Sequence, residues 1–126
     1  EARFHVMKLD KILFPDETFD VIICSAVLHF AKNYEHFHKM ILELVRLLKP
    51  DRKIFIRSMT DRYLAEGTVE INQNVYQFPN EQIRFAVNAE ALIGFLTDLG
   101  LELIEPYKEV VVQNRHTMGT FILQKQ

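Results

Sequence analysis

The stretch FDVIICSAVLHF, residues 19–30, constrains this chain more than any other. Val21, Ile22, Ile23 and Cys24 form a continuous apolar run, where a half-buried strand would alternate. Such a run suits a strand covered on both faces, as in a parallel sheet packed between helices. Ser25 and Ala26 then stand at its carboxyl end, followed by a helical turn that carries His29. In open α/β sheets ligands bind at the carboxyl ends of strands, so Ser25 to His29 is the first place to look for chemistry.

The segments that follow repeat this logic. Asn33 caps a helix over residues 34–48, where Tyr34, Phe37, Met40, Ile41, Leu44, Val45 and Leu48 recur at helical spacing. Lys39 and Glu43 are placed for an exposed i,i+4 pair, and Pro50 closes the helix. Residues 53–59 bring a second buried strand through Ile54, Phe55 and Ile56. Strand, helix, strand in this order predicts a right-handed crossover between parallel strands. The Asp51-Arg52 turn between helix and strand calls for a residue at positive φ.

Residues 1–9 read as an imperfectly alternating strand and residues 10–18 as a loop that Phe19 plugs into the core. Residues 61–88 form a mixed cap insertion, with a short strand at Ile83, Phe85 and Val87, in a single domain spanning residues 1–126. Asn88 caps a second helix over residues 89–99, which Gly100 ends. Residues 101–113 and 116–124 complete the chain as an antiparallel hairpin turning at Asn114 and Arg115.

Composition narrows the function classes. With 48% hydrophobic and 25% charged residues, the 126-residue chain can build an ordinary core, which argues against disorder. A net charge of −2 supplies no electrostatic reason to expect nucleic acid or an anionic membrane as partner. The single Cys24 makes no internal disulfide, and without a signal-like or membrane-spanning stretch the cytoplasm is the expected compartment. His36 and His38, two apart on a helix, face different directions, and no metal site is expected.

Two longer stretches carry a resemblance. LFPDETFDVIICSAVLHFAKN followed by ILELVRLLKPDRKIFI resembles the middle of class I S-adenosylmethionine (SAM)-dependent methyltransferases. The resemblance implies a partial Rossmann-like α/β fold, a parallel sheet ending in an antiparallel hairpin with flanking helices. It implies methyl transfer from SAM to a small-molecule acceptor. It also implies cofactor contacts from Lys8, Leu9, Asp10, Ser25, Ala26 and His29, with the methionine part passing Ser25 and Ala26. No glycine precedes Gly67, so the family's glycine-rich cofactor loop has no counterpart here, and the chain corresponds to the portion from the family's third strand onward. Strand 19–24 is then expected at a sheet edge, where it can pair with a second copy, and cofactor binding by these residues alone is expected to be very weak.

Alternatives stand beside several of these assignments. Ser25 and Ala26 are equally suited to close strand-helix packing. His29 is either a catalytic group that orients or deprotonates the acceptor, or a helix-start histidine bonded to a backbone carbonyl. Cys24 reads as a small buried hydrophobe. Tyr63, Tyr76 and Phe78 line an acceptor pocket or close the core of the cap. Arg57 and Arg115 hold an anionic acceptor or, the preferred reading, are solvated at the surface. The other function class open to the chain is a non-catalytic methyltransferase-like remnant acting as a binding or interaction module.

Overall fold

The computed structural model describes residue 5 and residues 7–126. Strand β1 (Phe19–Ser25) leads through a 3₁₀ turn (Leu28–Phe30) to helix α1 (Tyr34–Leu47) and the long strand β2 (Leu48–Leu64). A small sheet follows, built from β3 (Val69–Asn72), β4 (Val75–Gln77) and β5 (Ile83–Phe85). Helix α2 (Ala89–Asp98) then precedes β6 (Leu101–Leu103), β7 (Lys108–Val112) and β8 (His116–Lys125).

β1 and β2 run parallel, Ile22 opposite Ile54 and Cys24 opposite Ile56, as a crossover through α1 requires. β8 lies antiparallel on the other side of β2 and is itself flanked by β6 and β7, which gives a mixed main sheet in the order β1-β2-β8-β6. Both helices cover one face of this sheet. Ile41 of α1 and Leu96 of α2 share a buried cluster with Cys24, Ile56 and Phe121, side chains of one parity on their strands.

Local signals set the helix ends. Asn33 and Asn88 accept hydrogen bonds from the backbone N–H groups of His36 and Ala91, and Gly100 adopts a φ of 91° just past α2. Asp51 takes the positive φ expected of its turn, at 64°. At the far end of α1, the Lys125 ammonium donates to the carbonyls of Val45 and Leu48, placing a cation at the negative pole of the helix.

Several expectations are corrected. β1 is covered on one face only, with Val21 64% and Ile23 71% exposed, while its outer edge is unpaired among the described residues, as expected. Residues 101–113 are two strands, broken where Glu105 and Pro106 leave the ladder. The final turn bends at Gln113 and Asn114, both at positive φ, one residue earlier than expected. β2 extends well beyond residues 53–59 at both ends. Glu43 does not serve Lys39; its carboxylate accepts from the Arg46 guanidinium and the Ile12 N–H, while Arg46 also reaches the carbonyls of Ile12 and Phe14. That clamp ties the loop before β1 to α1 and holds the Glu43 carboxyl below its usual range. The strand expected over residues 1–9 lies mainly outside the described residues; within it, Lys8 pairs only in an isolated bridge with Lys11.

Residues of the expected cap pack over the carboxyl end of β1. Phe85 of β5 stacks on Phe37 of α1 at 4.6 Å, and Val87 bridges Thr60 of β2. A second apolar cluster, Met59, Phe78, Ala86 and Met118, joins this segment to the main sheet, and Ala26 packs against it.

Candidate functional site

At the end of β1, Ser25 stands opposite Arg57, and the Ala26 N–H donates to the Arg57 carbonyl at 2.9 Å. Ala26 then turns left-handed, with a φ of 57°. That conformation costs a residue with a Cβ about 1 kcal/mol or more, and backbone strain of this kind concentrates at functional sites. The turn sends the chain into Leu28, which is fully buried, and leaves His29 beside an opening below the cap.

The opening is a cavity of about 410 Å³, the size of a small-molecule site. His29, His116, Arg84 and Arg115 supply its polar wall, and Met59 and Phe78 its apolar one. Phe78 meets His116 edge-on at 6.2 Å, and the Arg84 guanidinium lies 4.7 Å from the centre of the Phe30 ring.

Electrostatics here are uniform in sign. His29 is pushed down to about 4, first by burial and then by the positive fields of Arg84, His116 and Arg57. His116 is lowered in the same way by burial and by Arg115, Arg57 and Arg84. Both imidazoles are therefore neutral at pH 7. The Nδ1 atom of His29 is buried without a hydrogen-bond partner, so the expected alternative of a bond from that nitrogen to a backbone carbonyl is not what the structure has. Burial pushes the Cys24 thiol up to about 11, in keeping with a small buried hydrophobe and against a nucleophile.

The remaining sequence candidates divide. Ser25 is exposed, and Ala26 is half-buried beside the cavity wall residues. Asp10 is 3.4 Å from the Nε2 atom of His36 at the start of α1, Leu9 packs against the main core, and Lys8 is exposed. Phe78 lines the cavity and also closes the second apolar cluster; Arg115 lines the cavity and is exposed, in keeping with the preferred solvated reading; Tyr63 and Tyr76 do not line it. Arg84 and His116 were missed. Neither carries a local signal, because Arg84 sits on a three-residue strand of the cap and His116 opens β8, and only the fold sets both beside His29.

Comparison with known proteins bears on the fold. Residues 1–56 match the family model described as a methyltransferase domain. That match covers less than half of the chain. Among solved structures, a SAM-dependent methyltransferase from Methanosarcina mazei superposes with a TM-score of 0.74 at 21% identity, over 99% of this chain and 68% of that one. A protein from Pyrococcus horikoshii OT3 gives 0.71 at 19% identity, over 98% of this chain and 59% of that one. The 1,6-didemethyltoxoflavin-N1-methyltransferase of Burkholderia thailandensis, solved with 1,6-didemethyltoxoflavin and S-adenosylhomocysteine, gives 0.70 at 15% identity, over 98% of this chain and 51% of that one. At such identities the likeness is one of fold, and this chain spans between half and about two thirds of those proteins. No curated protein matches it. The methyltransferase fold here is the mixed α/β sheet with two helices on one face.

Proposed function

We propose that these residues form the acceptor side of a SAM-dependent methyltransferase acting on a small molecule, with Ser25 and Ala26 against the cofactor and His29 against the acceptor. The observation that carries the reading is the neutral imidazole of His29 lining a small-molecule-sized cavity at the carboxyl end of β1. SAM, when bound, supplies a methyl carbon to which the acceptor's nucleophilic atom bonds while the carbon–sulfur electron pair stays on sulfur. A base held near pKa 4 is too weak to ionise a neutral hydroxyl in advance. Its imidazole instead orients the acceptor by accepting a hydrogen bond and takes the proton as positive charge builds on the methylated atom. Phe78 and Met59 exclude water and position the acceptor, which is most of what a transfer from an activated carbon requires of the protein.

Lys8, Leu9 and Asp10 complete the proposed cofactor contacts on the far side of α1's start, where Asp10 meets His36. With no glycine before Gly67, these residues offer one wall of a cofactor site, and affinity is expected to be well below micromolar strength. The test is an amide-resolved NMR titration of the chain with S-adenosylhomocysteine at millimolar concentration. Shifts centred on Ser25, Ala26 and His29 are expected. No shifts, or shifts confined to α2 and β6, would remove the reading.

The exposed Val21 and Ile23 on β1, whose outer edge is unpaired among the described residues, favour a second role, an interaction module that joins two copies of the chain through that edge.

A further inference from the structure

The described arginines separate into two groups. Arg46, Arg52 and Arg62 each lie within ion-pair distance of a carboxylate: Arg46 of Glu43 and Asp16, Arg52 of Asp20, Arg62 of Glu90 and Glu109. Among the described residues no carboxylate stands in that relation to Arg57, Arg84 or Arg115. All three belong to one place. Arg84 and Arg115 line the cavity, and Arg57 sits opposite Ser25 at its rim, near enough that its field acts on both His29 and His116.

Surface solvation accounts for Arg115, which is exposed, but less well for Arg57 and Arg84, which are half-buried. A partly desolvated guanidinium without a counter-charge is costly unless something else supplies the negative group. Arg84 spends one N–H on the Ile83 carbonyl and lays its face against Phe30, which fixes the plane of the fork and leaves its other donors free. The cavity wall contains no Asp or Glu, and its two histidines are neutral at pH 7. Phe78 and Met59 line the same cavity and supply an apolar surface that suits a flat ring.

We infer that the cavity takes a small organic acid with a flat apolar body, its carboxylate held by Arg84 and Arg115 and its ring against Phe78 and Met59. This names the acceptor class for the methyl transfer proposed above and rests on that reading for its catalytic meaning, but not for its binding chemistry. Arg57 then adds long-range attraction from the rim and makes no required contact.

The probe is 2-naphthoate, with 2-naphthamide as its neutral counterpart, titrated into the 126-residue chain by calorimetry with and without S-adenosylhomocysteine. The carboxylate is expected to bind about tenfold more tightly than the amide, the effect of one charge-assisted hydrogen-bond pair. Arg84→Gln and Arg115→Gln should each remove most of that preference, whereas Arg62→Gln, at a paired and distant arginine, should leave it. Arg115 is exposed, so its variant keeps the test meaningful even if Arg84→Gln folds poorly. Equal binding of acid and amide, binding of neither, or an equal loss in Arg62→Gln overturns the inference. Retained acid preference in a chain that shows no cofactor shifts at Ser25 to His29 would instead remove the methyl-transfer reading alone, and the reverse result would remove this inference alone.

Discussion

Replacing His29 by phenylalanine should make the protein more stable, and more so in acid. The ring is half-buried, lies 4.3 Å from the Phe30 ring, and carries a buried Nδ1 with no partner. An unsatisfied buried polar atom costs about 1–3 kcal/mol, and a half-buried ring places the cost at the low end, ~1 kcal/mol at pH 7. The pH term adds to this. His29 is held near 4 in the folded chain against 6.5 when unfolded, so between those values the unfolded state binds more protons. Stability from keeping the ring neutral is complete above pH 6.5 and is lost as pH falls towards 4. At pH 5 the loss would be ~2 kcal/mol for a fully shielded group. Halved for solvent screening, it is ~1 kcal/mol. His29→Phe should therefore exceed the parent by ~1 kcal/mol at pH 7 and ~2 kcal/mol at pH 5. Urea unfolding followed by circular dichroism at the two pH values measures both numbers. An advantage that does not change with pH would refute the electrostatic account. A variant less stable than the parent at pH 7 would refute the claim that His29 is unsatisfied. If His29 serves the acceptor, the stabilised variant should also lose methyl transfer in any longer form of the protein that shows it, the trade expected of a residue retained for function.

Asp51→Gly should stabilise by ~0.5–1 kcal/mol, since it relieves a φ of 64° while its backbone carbonyl still accepts from Gln124; Arg52→Gly, at an ordinary φ and paired to Asp20, should not, and equal urea midpoints for the two would refute the assignment. Gly119→Ala should cost ~1–3 kcal/mol, because its Cβ would stand 2.8 Å from Thr60 Cγ2 and 2.9 Å from the fully buried Phe121 ring; an unchanged thermal midpoint would show that the ring can yield. Sedimentation velocity should find a concentration-dependent dimer that Ile23→Lys disrupts, and a monomer at every concentration would remove the edge-pairing proposal.

The helix ends and the turn after α1 were legible because the deciding interactions are short. Asn33 and Asn88 cap helices through N–H groups three residues away, Gly100 ends one by its own φ, and Asp51 bends a turn between neighbours. The parallel pairing of β1 with β2 followed as well, since a helical crossover leaves little else possible. Glu43 shows where local reasoning stops: Lys39 is one helical turn away, yet Ile12, 31 residues distant, and Arg46 hold its carboxylate, because a geometry fixed by the incoming loop outcompetes a flexible exposed pair. β1 carries the signature of a strand covered on both faces, but which faces are covered depends on what packs there, and the helices lie on one side. His29 was visible by its place after the strand. Its neighbours Arg84 and His116 were not, since each is set beside it by a strand from another part of the chain, and no periodicity or spacing within a sequence records a meeting that only packing brings about.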